Sequence, residues 1–380
     1  MTDKNYNLST IAESRISVRS RFNDIAKQNQ SLNRGSNLDN DEYLSKLLKV
    51  IKINSLVVGV GGAGNNTVSR MSDVGVSEIQ TLNINTDAHD LYYSNATQKL
   101  LIGKDKCNGL GSGNVPSIGT QAAEEDIDRL SEVLNTDVVF ITFGLGGGTG
   151  TGAAPIIARE AKKNNAIVVA FCSIPFSSEG KERISRAKNG LADLIKHVDT
   201  LIPIPNDNLL RFNQNLPILT GFKIMDEVLI RCMREILSLI NNCGLINIDY
   251  ADVKRVLEKQ GNIPSGLIGI TESLGEETDL IQKAKLALNN PLIETNPKKI
   301  DNCIVSVSGN HQLALSKIDK IISAISSEIP EEASLKFGTS LNPTLGSKIR
   351  IMALGRGPIS PYVQAAANNS EFPQPNLNHL

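Results

Sequence analysis

The sequence predicts an α/β protein in two parts: an N-terminal domain built on a parallel sheet, joined by a long central helix to a smaller α+β C-terminal domain. Three observations carry that prediction. From residue 51 to about 220, short apolar runs alternate with helix-length stretches, the pattern of a parallel sheet with ligand loops at the strand C-terminal ends. Next, Met225, Val228, Leu229, Cys232, Ile236, Leu237 and Ile240 form one apolar stripe at a period of about 3.6 residues. Third, a further set of strands with helices between them occupies 245–356. A chain of 380 residues is long enough to bury two cores.

In chain order, residues 1–48 are polar and poor in aromatics, with a run at 26–41 rich in Asn, Gln, Ser and Gly. They are expected to be a disordered N-terminal extension. The domain at 49–221 takes strands at 55–59, 81–85, 138–142, 167–172 and 200–204, with helices between them such as 119–134 and 183–197. Residues 222–244 make the central helix, with Gly244 as its C-cap; 20 helical residues reach about 30 Å, enough to bridge two domains. The C-terminal domain, 245–356, takes strands at 303–308, 334–337 and 348–354 and helices at 250–260 and 313–327. Residues 357–380 are expected to be a short disordered tail.

Composition narrows the function. With 40% hydrophobic and 21% charged residues, the chain is ordinary globular protein. A net charge of −1 leaves no global electrostatic case for nucleic acid. No apolar run approaches the roughly 18 residues of a membrane span, which argues against direct membrane insertion. Acids near Arg15, Arg19 and Arg21 disfavour a transit peptide, and no apolar segment marks a secretory signal. Cys107, Cys172, Cys232, Cys243 and Cys303 are scattered without a Cys-x-x-Cys pair, as in a reduced cytoplasmic protein. The four histidines lie far apart, so no side-chain metal site is expected.

The segment that carries chemistry is Gly-Gly-Gly-Thr-Gly-Thr-Gly at 146–152, between the strand at 138–142 and a helix expected to begin at Ala153 with Pro155 in its first turn. Five glycines in seven residues cost backbone entropy that an ordinary connection has no reason to bear. Backbone N–H groups brought close to a ligand at a helix N-terminus explain them, and the fitting ligand is a phosphate. No lysine follows, so this is not a P-loop. Two more glycine stretches precede helices: Gly59-Val60-Gly61-Gly62-Ala63-Gly64-Asn65-Asn66 and Gly109-Leu110-Gly111-Ser112-Gly113. The first satisfies Gly-x-Gly-x-x-Gly, so a dinucleotide-dependent dehydrogenase is the rival reading. Asp87 is only a fair ribose acid for it, and a dinucleotide has no use for the other two loops. Three such loops on one sheet suit a triphosphate with magnesium.

As a set these segments resemble the FtsZ family of tubulin-like, GTP-binding, filament-forming proteins. Besides the glycine stretches, the resemblance rests on Asn85-Thr86-Asp87-Ala88, on 175–183 (Pro-Phe-Ser-Ser-Glu-Gly-Lys-Glu-Arg), on Lys196-His197-Val198-Asp199 and on Ile204-Pro205-Asn206-Asp207. It covers about 53–356 and implies that the N-terminal domain is a GTP-binding domain. GTP or GDP, with Mg²⁺, would lie on Gly61, Gly62, Ala63, Gly64, Asn65, Asn66, Gly111, Gly113, Gly147, Gly148, Thr149 and Gly150. Glu179 and Arg183 match the family's ribose-contacting positions, Phe222 its stacking aromatic, Asn66 and Asn206 its base-edge amides, and Asp226, at the start of the long helix, its guanine-binding acid. A carboxylate can accept both the N1 and N2 hydrogens of guanine, a pattern adenine lacks. Taken without the resemblance, Phe222 is a core residue and Asp226 a charge on a solvated helix face or at the helix N-terminus.

One acidic segment remains, Asn247-Ile248-Asp249-Tyr250-Ala251-Asp252. Locally, Asp249 is a good N-cap and Asp252 sits at the third helical position beside the dipole. The resemblance implies more: this loop enters the next subunit's site, where Asp249 and Asp252 orient or polarise the attacking water and Asn247 supports the water or the loop. It further implies a GTPase activated by assembly, a head-to-tail homopolymer, a division ring at mid-cell in the cytoplasm, and other division proteins as partners. A non-hydrolysing scaffold relative is the alternative. The chain departs from the family at Gly113-Asn114-Val115-Pro116, at 262–267 and after Gly275, where the usual Arg is missing. The family's C-terminal anchoring peptide has no counterpart in 357–380, so anchoring by another segment, or no tether of the usual kind, is expected.

Overall fold

The computed structural model describes residues 53–73, 79–211, 217–241 and 245–373. The extension at 1–48, the cap at Gly244, Cys243 and residues 374–380 lie outside the described residues.

The first sheet holds β1 (Ser55–Val60), β2 (Gln80–Asn85), β3 (Gln98–Leu101), β4 (Val138–Gly144), β5 (Ile167–Ile174) and β6 (Thr200–Pro205), in the order β3-β2-β1-β4-β5-β6. All its pairings are parallel. β1, β4 and β5 are near-continuous apolar runs because helices cover both faces of the sheet. Those helices are α1 (Gly61–Asp73), α2 (Ala88–Tyr93), α3 (Lys104–Cys107), α4 (Pro116–Glu125), α5 (Ile127–Val133), α6 (Thr149–Lys163) and α7 (Lys181–Leu194). The strand order reverses between β1 and β4, which opens a crevice beyond their C-terminal ends, and two of the three glycine loops leave these two strands.

The central helix, α8 (Ile218–Asn241), packs on α1 and on β7 (Leu267–Ser273) of the second sheet. After it come α9 (Tyr250–Leu257), α10 (Glu277–Leu288), β8 (Asn302–Gly309), α11 (Leu315–Ser326), β9 (Ser334–Leu341) and β10 (Ile349–Arg356). The second sheet runs β7-β10-β8-β9, with β10 antiparallel to both neighbours and β9 parallel to β8 at the edge. α10 and α11 cover it with Leu280, Ala284, Ile321 and Ile325. The described residues from Ser55 onward form one compact unit.

Several sequence expectations need correction. The glycine run is not a loop ending at Ala153: α6 already begins at Thr149, so Pro155 lies in its second turn. The reason is packing, since a Cβ on Gly152 would lie 1.9 Å from the Pro116 carbonyl oxygen of α4. The helix expected at 119–134 breaks at Asp126, whose carboxylate accepts from the Gly103 N–H and pairs with Arg129. The central helix starts at Ile218, which places Asp226 in its third turn and not at its start. β3 and β7 were unmarked in the sequence. β3 is a four-residue edge strand with two exposed polar residues, and β7 mixes Gly, Thr and Glu into its apolar run.

The expected disordered tail at 357–380 instead contains α12 (Pro361–Ala367). Ser360 accepts from the Tyr362 N–H and Pro361 opens the helix, an N-terminal signature that the Asn- and Pro-rich surroundings mask. Tyr362, Val363 and Ala366 then bury into the core of the first domain, against α7 and β6. That apolar stripe is what orders the segment.

Candidate functional site

The loops at the C-terminal ends of the first sheet enclose a cleft of about 430 Å³. Ligand clefts commonly span about 300–1,000 Å³. Its floor is made where two glycine loops meet: Gly61 has φ +67°, and a Cβ there would lie 3.0 Å from the Gly150 amide nitrogen. Beside them, a Cβ on Gly148 would lie 2.2 Å from Ser112 Oγ. α6 points its N-terminus into the cleft. Gly148 occupies the N-cap with no side-chain cap, so the first-turn amides have no acceptor from a capping side chain. These donors and the helix dipole favour an anion.

Hydroxyls fix the loops relative to one another. Thr149 Oγ1 lies 2.6 Å from Thr86 Oγ1 and 3.0 Å from Ser112 Oγ, so one buried cluster joins three loops. At the far wall Glu179 pairs with Arg183 at 3.0 Å and accepts from the Phe176 N–H. Asn206 is 6% exposed, and its amide oxygen, buried on the cleft wall, has no hydrogen-bond partner among the described residues. Buried amides are rarely left so, and a donor on a bound ring would satisfy it. Phe222 lies 39% exposed at the edge, its ring 6.3 Å from that of Phe176.

Of the residues singled out in the sequence, Gly61, Gly62, Ala63, Gly111, Gly113, Gly147, Gly148, Thr149, Gly150, Glu179, Arg183, Asn206 and Phe222 all line this cleft. Gly64 and Asn65 do not. A Cβ on Gly64 would lie 2.1 Å from the Thr142 carbonyl oxygen, so this glycine lets α1 sit close on β4. Asn65 is buried, donating to the Gly59 and Ile84 carbonyls and accepting from Asn85, which ties α1 to the ends of β1 and β2. Asn66 is exposed on α1. Asp226 accepts from Thr67 Oγ1 at 2.6 Å and faces Arg70 at 3.5 Å; burial raises its pKa above the usual carboxylate value, against those two partners. It lies one turn along α8 from Phe222, but it does not line the cleft: its carboxylate is turned to Thr67 and Arg70 of α1.

Ser112, Asn114 and Ser173, which the sequence reading did not name as site residues, also line the cleft, as does Asp87, weighed there only as a ribose acid for the dinucleotide reading. Asp87 and Ser112 stand inside the motifs quoted for their glycines. Ser173 is near the C-terminal end of β5, where parallel sheets place ligand contacts.

Asn247, Asp249 and Asp252 are elsewhere. Tyr250, at the start of α9, is pushed up to about 12 in pKa, chiefly by burial and then by Asp137, the residue before β4. The other end of α9 offers its Leu257 carbonyl to Thr200, the first residue of β6. The helix therefore runs along the N-terminal ends of the strands, while the cleft lies at their C-terminal ends. Seven residues of β4 separate the two, about 20 Å of strand. Asp249 is exposed at the N-cap position, but its side chain makes no cap bond. Asp252 is held instead by Lys336, Nζ to Oδ1 at 2.6 Å. The expected cap bond of Asp249 is thus absent, whereas Asp252 does stand in the first turn of α9, beside the helix dipole.

Among the described residues no three His, Cys, Asp or Glu side chains are grouped to hold a metal, and no helix is long and apolar enough to cross a membrane. Cys107, Cys172, Cys232 and Cys303 are buried and unbridged.

A family model described as the tubulin/FtsZ family GTPase domain matches residues 54–214, and one described as the FtsZ family C-terminal domain matches 265–357. Cell division protein FtsZ of Methanothermobacter thermautotrophicus is 38% identical over 355 residues, covering 92% of each chain. Cell division protein FtsZ 1 of Thermococcus kodakarensis is 43% identical over 335 residues, covering 88% of each. Among solved structures, an empty FtsZ dimer from M. jannaschii superposes with a TM-score of 0.75 at 38% identity, over 84% of this chain and 92% of that one. CetZ2 from Haloferax volcanii, a GTPγS-bound protofilament, shares the fold with a TM-score of 0.70 at 18% identity, over 84% and 97% of the two chains.

Proposed function

The chain belongs to the FtsZ family of tubulin-like GTPases, and from its geometry we propose that its GTPase site is completed only between two copies assembled head to tail. One observation carries this reading: the phosphate-binding cleft and the acidic loop stand at opposite ends of one parallel sheet, about 20 Å apart, so neither can serve the other within a single subunit. Stacked head to tail, the same two surfaces face each other, and the contact repeats into a filament.

In the cleft, the α6 amides and the loops at 61–63, 111–113 and 147–150 hold the phosphates; Glu179 and Arg183 hold the ribose. Phe222 offers a stacking face, Asn206 a base-edge acceptor, and Asp226 two oxygens for the guanine N1 and N2 hydrogens. The glycine cradle, the uncapped helix and the partnerless Asn206 oxygen fit a nucleotide. Mg²⁺ fits beside Asp87 if phosphate oxygens and water complete its shell, and when bound it neutralises charge on the phosphates. From the neighbouring copy, Asp249 and Asp252 accept hydrogen bonds from the attacking water and fix its line of approach, with Asn247 at the loop's start. Positioning and charge stabilisation are most of what phosphoryl transfer needs. The filament is a division-ring element in the cytoplasm at mid-cell, with other division proteins as further partners.

The test is GTP turnover per subunit against protein concentration. Near-zero turnover when dilute, rising above a threshold, is expected; a constant rate per subunit would mean that each monomer holds a complete site.

A further inference from the structure

The acidic loop does not stand alone: edge strand β9 is its platform. Leu245 and Ile246 join the strand through an antiparallel bridge, with Leu245 N–H to the Thr339 carbonyl at 2.8 Å and Thr339 N–H to the Ile246 carbonyl at 3.0 Å. Ile248 then lies over Gly338, where a Cβ would meet its side chain at 2.8 Å. Two residues before Gly338, on the same face of the strand, Lys336 reaches Asp252.

We propose that Lys336 is a positioning residue for the GTPase reaction: by tethering one oxygen of Asp252, it aims the other at the neighbouring subunit's cleft. This rests on the reading that Asp252 acts in trans. The geometry is specific. Lys336 bonds Oδ1, while Arg255 approaches that same oxygen only to 4.0 Å. Among the described residues Oδ2 has no hydrogen-bond partner, although the side chain is only 14% exposed. An oxygen left without a donor, on a carboxylate whose other oxygen is held by an ammonium, is open to a water molecule. Lys336 itself is 47% exposed, so an isolated surface pair is a poor reason for its placement, since such pairs add little to stability.

The experiment compares Lys336→Met, which keeps the stem and removes the charge, with Lys336→Arg and Asp252→Ala in the full chain. Turnover is measured at protein concentrations well above the assembly threshold, together with that threshold and GTP binding to the dilute subunit. Lys336→Met is expected to lower kcat about ten- to a hundredfold, leaving KM, threshold and GTP binding as they were. Lys336→Arg restores most of the rate, and the Lys336→Met loss disappears in an Asp252→Ala background. A kcat within twofold of the parent, or a loss explained wholly by a raised threshold, overturns the assignment. If Asp252→Ala is inactive while Lys336→Met turns over normally, the positioning role alone fails; if Asp252→Ala itself turns over normally, the shared-site reading fails with it.

Discussion

The cleft and the acidic loop solve opposite problems of preorganisation. The cleft is built into the interior of the fold: α6 buries nearly every residue of its first three turns, and hydroxyls of Thr86, Ser112 and Thr149 lock three loops together. The loop at 245–249 is exposed apart from Ile248, with Leu245 71% accessible; one edge strand holds it, and one lysine holds Asp252 in the helix that follows. Binding a polyanion demands donors fixed before the ligand arrives, because they cannot reorganise without loss. A group that must enter another molecule's site cannot be buried in its own. On the proposed reading, the two halves of one reaction come from a buried and from an exposed part of the sheet ends.

The sharpest way to break this comparison is to separate the halves genetically. Asp252→Ala keeps an intact cleft and Gly148→Val, which would drive a side chain into Ser112, keeps an intact loop. Each alone is expected to be inactive, and a mixture to regain turnover; a mixture as inactive as its components would place both halves in one subunit. The next test works along the glycine run at 146–152 and distinguishes packing from binding. Gly152→Ala forces a Cβ to 1.9 Å from the Pro116 carbonyl, and overpacking of this kind costs about 1–3 kcal/mol, read as a lowered Tm. Gly147→Ala meets nothing nearer than Asn114 Oδ1 at 4.0 Å, so its Tm should hold within the small range of surface changes while GTP binding weakens about tenfold or more. Equal losses of stability in the two variants would mean that the loop, like the helix, is set by packing.

The smallest effect concerns Asp226, whose burial raises its pKa. A carboxyl with a raised folded pKa stabilises fully below its unfolded value, near 3.9, and that contribution is lost as pH rises through the folded value. Without nucleotide, Asp226→Asn should therefore be slightly more stable than the parent at neutral pH, with the gain vanishing below about pH 4 in thermal unfolding. A variant less stable at neutral pH would mean that Thr67 and Arg70 outweigh the cost of the buried charge.

Much of this was legible in the residues. Continuous apolar runs such as 138–141 announced buried parallel strands, and the stripe from Met225 to Ile240 announced the bridging helix. Glycine density marked the cleft, since only close backbone approach explains it. Glycine identity did not say which approach was meant. Gly61 and Gly148 shape the cleft, whereas Gly64 and Gly152 bring α1 onto β4 and α6 onto α4, and that distinction depends on atoms far away in sequence. Asn65 is similar: its motif suggests a ligand, but its amide is consumed by strand-end carbonyls. The α12 stripe was hidden because its four-residue period fell within a composition typical of disorder.

By itself, then, the sequence determined what local chemistry can encode: element type through periodicity, anion binding through glycine at a helix start, and family through its motifs. Only the tertiary structure decided that the acidic helix lies at the strand N-terminal ends, that Lys336 reaches Asp252 across 84 residues of chain, and that Asn206 has an acceptor unmet among the described residues. Those facts arise from contacts between segments distant in the chain, where burial and the need to satisfy each polar group are settled by the whole fold.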